Sequence, residues 1–248
     1  MTKISEAITS LKNGNFVLIH DDDGREDEVD MVVSSNNISP EHIATMRKDA
    51  GGLICTAISK EIATKLGLPF IYDVLNIFGT TNQTISSINS NSSPYGDRPS
   101  FSVTLNHINT YTGITDRDRA LTISSLANIC NDLSDYQKDQ KTTIEKFRSN
   151  FRTPGHVSIL ISSKGLLNER KGHTEMSIFL TKIANMTNIT TICEMLDPHS
   201  YKALSYKDAV KYANDNNLVI IEAKDLITYA ESFQNKDENK NWNCCFRI

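Results

Sequence analysis

Apolar positions recur along the chain in two periods, about 3.6 and 2, that alternate from one end to the other. Ile4, Ala7, Ile8 and Leu11 stand at i, i+3, i+4 and i+7 with Gly14 behind them, so residues 3–13 are predicted as an amphipathic helix. Phe16–His20 follows as a strand, and beyond an acidic stretch Met31–Ser34 is a second. Ser39-Pro40-Glu41 supplies an N-cap and a proline at the first helical position, for a helix to about Ala50 that Gly51-Gly52 ends. Leu53–Ala57 reads as a strand, Ser59 caps a short helix, and Phe101–Leu105 alternates as a strand does. Thr115 with Asp118, and Ser205 with Asp208, have capping-box spacing and open helices near 116–131 and 206–216. Val157–Ile161, Ile189–Cys193 and Leu218–Ile221 complete the strands.

Strands and helices interleave without a break in composition, which predicts an α+β fold: a single domain over residues 1–233, in three layers, α-β-α, around a mixed twisted sheet. Thr80–Pro99, rich in Ser, Asn and Gly, reads as a long loop, and residues 234–248 as a polar tail. With 248 residues, 39% of them hydrophobic, a large core is available. Lys plus Arg number 26 against 30 Asp plus Glu, a net charge of −4. That balance, with no long basic stripe, argues against nucleic acid as a partner. No apolar run approaches the roughly 20 residues of a spanning helix, so no membrane partner is expected. The chain opens on an amphipathic pattern in place of an apolar signal core, so a cytoplasmic location is expected. Five scattered cysteines read as reduced thiols.

Candidate chemistry concentrates at four places. From Asp21 to Asp30, seven carboxylates fall in ten residues between two apolar strands, with Arg25 among them. Such charges repel and must be offset, either by water around a hairpin turn or by a hard cation. Arg170-Lys171-Gly172-His173-Thr174-Glu175 precedes a helical pattern, with Thr174 as expected N-cap, so cations and a glycine stand where free N–H groups favour phosphate. Ordinary loop charges and a packed histidine explain the same segment. Pro154-Gly155 reads as a turn that holds His156 at a strand start, suited to proton transfer or to a structural role. Glu194 ends an apolar strand, where burial raises a carboxyl pKa; a solvent-facing acid is the alternative. Six of nine arginines lie in or near these segments and near Thr112-Gly113-Ile114-Thr115, as planar anion recognition requires.

These residues fall into an ordered set of motifs: Arg25-Glu26-x-Glu28-x-Asp30, Gly51-Gly52-Leu53-Ile54-Cys55, Thr112-Gly113-Ile114-Thr115, Pro154-Gly155-His156-Val157, Gly172-His173-Thr174-Glu175 and Cys193-Glu194-Met195. In this order the chain resembles the 3,4-dihydroxy-2-butanone 4-phosphate synthases of riboflavin biosynthesis, with Met46–Ala50 and the long stretch before residue 100 similar to the archaeal branch. The resemblance implies a lyase that converts D-ribulose 5-phosphate to 3,4-dihydroxy-2-butanone 4-phosphate and formate. It implies Mg²⁺ or Mn²⁺ as cofactor and a homodimer with active sites near the interface. Carried over by motif, Glu26 and His173 ligate metal, and His156 and Glu194 are the proton-transfer pair. Substrate is bound by Arg25, Glu26, Asp30, Thr112, Arg170, Lys171, Gly172, His173, Thr174 and Glu194, while Asp21, Glu28 and Cys55 line the pocket. Gly24, Val29 and the turn Asp197-Pro198-His199-Ser200 depart from the family pattern. Apart from the resemblance, the same residues suit a metal-dependent phosphosugar isomerase or aldolase, or a nucleotide- or RNA-binding module.

Overall fold

The computed structural model describes residues 2–21, 24–89 and 96–232. The polar tail at 234–248, and residues 90–95 of the stretch expected as a loop, lie outside the described residues. Helix α1 (Lys3–Lys12) buries Ile4, Ala7 and Leu11, and Thr2 caps it by accepting the Ser5 N–H. Strands β1 (Val17–His20) and β2 (Val29–Ser34) follow. β2 begins two residues earlier than its apolar run predicts, because Val29 and Asp30 pair with His20 and Ile19. Helix α2 (Pro40–Thr45) widens into a π turn over Met46–Ala50, which Gly51 ends at φ +89°. Strand β3 (Cys55–Ile58) and helix α3 (Lys60–Leu66), capped by Ser59, come next.

Within the stretch expected as a loop, from Thr80 to Pro99, residues 83–89 are helical. Helix α4 (Ile71–Gly79) and helix α5 (Gln83–Asn89) form a hairpin, and the Asn82 side chain accepts the Ile85 N–H at the start of α5. A Ser- and Asn-rich composition hid a capped turn of helix. Strand β4 (Phe101–His107), helix α6 (Asp116–Ser134), helix α7 (Gln140–Asn150) and strand β5 (Phe151–Ile161) then build the far side of the sheet. Here too the expectation is corrected: β5 starts at Phe151, so Pro154-Gly155 lies inside the strand and His156 is not at its start. The N–H groups of Gly155 and His156 donate to Thr104 Oγ1 and Asn106 Oδ1, and side-chain acceptors thus carry the strand through an irregular stretch. Helix α8 (His173–Ile183), strand β6 (Ile189–Glu194), a small hairpin of β7 (Leu196–Asp197) and β8 (Lys202–Ala203), helix α9 (Tyr206–Asp215) and strand β9 (Val219–Glu222) follow. Residues 223–232 form a last helix, α10.

The main sheet has seven strands in the order β4-β5-β3-β6-β2-β1-β9. β1 and β9 are parallel, as are β3 and β5; the other neighbours are antiparallel, so the sheet is mixed as expected. Leu18, Met31, Val33 and Ile159 face one core with α2, α3, α6, α7 and α9. Val17, Ile19, Val32, Cys55 and Ile192 face the other with α1, α8 and α10. Both faces are covered, giving the three-layer α-β-α arrangement and the almost continuously apolar strands that such burial demands. These directions bring the ends of β1 and β6 and the starts of β2 and β3 to one edge of the sheet. Side-chain period two then sets Asp30, Cys55 and Glu194 on the α8 face of that edge.

Candidate active site and metal centre

Asp21, at the end of β1, organises the acidic segment between β1 and β2. Its Oδ1 accepts the Glu28 N–H at 2.9 Å, and its Oδ2 accepts the Glu26 N–H at 3.3 Å and Arg25 Nη1 at 2.9 Å. Arg25 also lies 2.5 Å from Glu26 Oε2 and donates through Nε to Asp97 at 3.0 Å. Burial works against its charge, but Glu26, Asp21 and Asp97 overcome this and hold its pKa above the usual guanidinium value. The stretch is thus a folded-in turn around Asp21 and Arg25.

Helix α8 delivers His173 from the opposite side. Its Nδ1 lies 3.6 Å from Glu26 Oε2 and 3.7 Å from Asp30 Oδ1. Burial alone would lower the imidazole pKa; Asp30, Glu26 and Asp21 reverse the sign and push it up to about 9. Asp30 is buried against Glu194, its neighbour across β2 and β6. Burial, together with repulsion from Glu194, Glu28 and Glu26, pushes Asp30 up to about 7 despite His173. Glu28 is raised as well, by burial and then by Glu26 and Glu194.

Asp21, Glu26 and His173 each offer a ligand atom, all within 4.8 Å of one another. Two carboxylates and one imidazole suit a hard divalent cation of the Mg²⁺ or Mn²⁺ type. Ligands at about 2.1 Å in an octahedron are about 3 to 4 Å apart, so a small contraction around an ion suffices. The fit is strengthened by two buried atoms that make no hydrogen bond among the described residues, Asp30 Oδ1 and His173 Nε2. Asp21, expected only as a pocket-lining acid, thus joins Glu26 and His173.

The start of α8 corrects one expectation. The N-cap is Gly172 and not Thr174, and the first helical bond runs from Met176 N to Gly172 O, which leaves the N–H groups of residues 173–175 without helical acceptors. A Cβ at 172 would lie 2.2 Å from Arg170 Nη1, so a side chain there would displace the guanidinium from its present place. Arg170 donates to Glu175 Oε2 at 2.6 Å, and Glu175 Oε1 accepts the Ser163 N–H at 2.8 Å. A cavity of about 260 Å³, lined by Gly24, Arg25, Asp97, Asn168, Arg170 and Lys171 among others, opens beside these cations. Three cations, Arg25, Arg170 and Lys171, line it together with the carboxylates Asp97 and Glu169, and its volume is phosphate-sized.

Glu194 borders the acid cluster: its Oε2 accepts the Leu53 N–H at 2.8 Å, and its backbone oxygen accepts that of Gly52 at 3.0 Å. A Cβ on Gly52 would come within 2.5 Å of Glu194 Oε2, so only glycine lets the two backbones approach. Cys55 is buried nearby, and burial followed by Glu194 and Asp30 raises its thiol, which keeps it protonated.

Thr112 and His156 stand elsewhere. His156 Nδ1 lies 3.1 Å from Asn106 Nδ2, whose amide also reaches the Thr112 carbonyl at 3.4 Å, and both Thr112 and His156 are exposed. β3 separates the strand of His156 from that of Glu194. Asp118 completes only half of the expected capping box: Thr115 accepts its N–H, while its carboxylate turns to the Gly113 N–H at 2.9 Å. The departures from the family pattern are accommodated: Val29 is buried, and Asp197 accepts the N–H groups of His199 and Ser200 to close its own turn. Asp97 and Asn106 escaped sequence reasoning, since one lies in a polar stretch and the other in a strand, without periodicity or motif to mark them.

A family model described as 3,4-dihydroxy-2-butanone 4-phosphate synthase matches residues 5–229. A 3,4-dihydroxy-2-butanone 4-phosphate synthase of Methanothermobacter thermautotrophicus is 43% identical over 224 residues, 90% of this chain and 94% of that protein. The riboflavin biosynthesis protein RibBA of Staphylococcus aureus is 30% identical over 239 residues, 96% of this chain and 52% of that longer protein. A solved structure of 3,4-dihydroxy-2-butanone 4-phosphate synthase in complex with two magnesium ions superposes with a TM-score of 0.74 at 26% identity, covering 94% of this chain and 99% of that one.

Proposed function

The chain belongs to the 3,4-dihydroxy-2-butanone 4-phosphate synthase family, and on that premise we propose that the edge formed by the Asp21–Asp30 segment, β6 and the start of α8 is its active site. The activity is the lyase reaction of riboflavin biosynthesis: D-ribulose 5-phosphate loses one carbon as formate and leaves 3,4-dihydroxy-2-butanone 4-phosphate. The observation that carries the site assignment is the approach of Glu26 to His173, 3.6 Å apart in space though distant in sequence. Residues up to 233 are read as one synthase domain.

Substrate phosphate would enter the cavity beside Arg25, Arg170 and Lys171, the last two shortly before the start of α8 and its free N–H groups at residues 173–175. This leaves the keto end over Asp21, Glu26 and His173. A Mg²⁺ ion held by those three residues, with Mn²⁺ as substitute, would supply charge stabilisation for the oxygens of the ketone and the neighbouring hydroxyl. Glu194 is placed to take the proton from C3, and its neighbour Asp30, pushed up to about 7, to hold a proton near neutral pH; burial and the charges of Glu26 and Glu194 raise Glu28 beside them. Loss of water, migration of the carbon skeleton, addition of a water to the carbon that is to leave and release of that carbon as formate follow, so water lost and water added cancel and protons are returned by the same acids.

His156 and Thr112 fit this chemistry in a homodimer, the assembly we infer, in which the exposed His156 edge of one copy covers the acid cluster of the other. Leu53, Ile108, Tyr111 and Ile114, all large, exposed and apolar, line up with such an interface. Mixing His156→Asn with Glu194→Gln, each inactive alone, is expected to restore about a quarter of wild-type activity, since half the dimers are mixed and each carries one intact site. Absence of recovery would place both residues in one subunit's site. No described helix is long and apolar enough to cross a membrane, and a cytoplasmic location belongs to the same proposal.

The direct test is ribulose 5-phosphate with purified protein, followed by NMR. Formate and the four-carbon phosphate are expected in equal amounts, with loss of both on adding a chelator and return with Mg²⁺. A pentose phosphate isomer without formate would identify an isomerase instead.

A further inference from the structure

Asp97 belongs to none of the motifs. It sits between the α4–α5 hairpin and β4, on a segment with no catalytic signature. Yet a single oxygen, Oδ2, faces two arginines from different elements: Arg25 Nε at 3.0 Å, from the acidic segment, and Arg170 Nε at 3.6 Å, from the approach to α8. Both guanidinium groups line the phosphate-sized cavity with Lys171, and Asp97 forms part of the same wall. Like charges so close spread apart unless an anion lies between them. Arg25 is further drawn toward Asp21 and Glu26, and Arg170 toward Glu175. Asp97 draws both the other way, toward the cavity.

We propose that Asp97 is a positioning residue, a shared counter-ion that keeps Arg25 and Arg170 preorganised for the phosphate of the substrate. This rests on the synthase reading of the site. Asp97 is not among the groups that gather as candidate metal ligands, Asp21, Glu26 and His173, so its contribution is to anion binding and not to the chemical step. The α4–α5 excursion thereby acquires a function: it ends on the residue that ties the two halves of the phosphate pocket together.

The test is Asp97→Asn and Asp97→Ser measured in parallel with Asp97→Glu. KM for ribulose 5-phosphate, and the inhibition constant of inorganic phosphate, are both expected to rise about 10-fold in the neutral variants, a modest effect because Asp97 is about a third exposed. The rate at saturating substrate and the Mn²⁺ affinity should stay within about threefold of wild type, and Asp97→Glu should recover most of the lost phosphate affinity. A purely structural role would lower the rate and Mn²⁺ affinity while raising KM, or would leave both neutral variants unfolded; either outcome overturns the proposal. So would an unchanged or lower KM, the latter because it would make Asp97 a competitor of the phosphate. Failure of the wild-type protein to release formate would sink the synthase reading alone, and calorimetric binding of inorganic phosphate to wild type and the Asp97 variants would still decide the role of Asp97.

Discussion

Glu194→Gln is expected to lower formate release at saturating ribulose 5-phosphate by about 1,000-fold or more, with substrate affinity within about threefold of wild type. The substitution is nearly isosteric. The glutamine carbonyl can still accept the Leu53 N–H, and the Gly52 N–H bonds to the backbone oxygen of residue 194, so the local fold is held by the same two bonds. What disappears is the ability to take a proton, and with it one of the charges that raise Asp30 and Glu28. Steady-state formate release by NMR, paired with calorimetric binding of ribulose 5-phosphate, separates the two effects. A variant that turns over within tenfold of wild type would move the proton-transfer role to another carboxyl, with Asp30 next in line.

The second large effect is at His173. His173→Asn keeps a polar side chain at the start of α8 but removes the imidazole, and Mn²⁺ affinity should fall by about 100-fold or more, with formate release lost at ordinary metal concentrations. The wild-type protein supplies a pH signature for the same assignment. In the metal-free site His173 keeps its proton up to about pH 9, because Asp30, Glu26 and Asp21 outweigh the cost of burying the charge. An ion must displace that proton, so apparent affinity for Mn²⁺ should rise about tenfold per pH unit from pH 7 to 9 and level off above. The ion pair also stabilises the metal-free fold. Its contribution is complete below the unfolded histidine value near 6.5 and is lost as pH rises through about 9. Calorimetric titrations across this range, in wild type and His173→Asn, check both. A flat pH profile, or undiminished Mn²⁺ binding in the variant, would remove His173 from the metal centre.

The reach of the sequence differs from one part of the molecule to another. Amphipathic and alternating runs announced α1, β1, the start of α2, α3, β4, α6, β6, α9 and β9 to within a few residues, since hydrophobic period and caps act over one or two turns of chain. α4 and α5 escape the sequence because no buried side chain anchors either helix, and in α5 the Ser and Asn content resembles a loop. β5 extends beyond its apolar run because Phe151 and Arg152 pair with His107 and Asn106 across a register shift and the N–H groups of Gly155 and His156 are taken up by the Thr104 and Asn106 side chains, which no local pattern encodes.

The same division runs through the site. The run of acids from Asp21 to Asp30, the cations before α8 and the carboxylate closing β6 were determined by the sequence alone, because residue type and order are all that such motifs require. Which of those groups meet was decided only by tertiary structure. Antiparallel pairing sets Glu194 beside Asp30, the packing of α8 on the sheet delivers His173 to Glu26, and a turn around Asp21 adds a third ligand. Asp97 and Asn106 gain their meaning solely from the side chains they reach, Arg25 and Arg170 in one case and His156 in the other. Periodicity is a property of neighbours in the chain, whereas a shared ion, a shifted pKa or a counter-ion is a property of distance in space, and the fold alone supplies that.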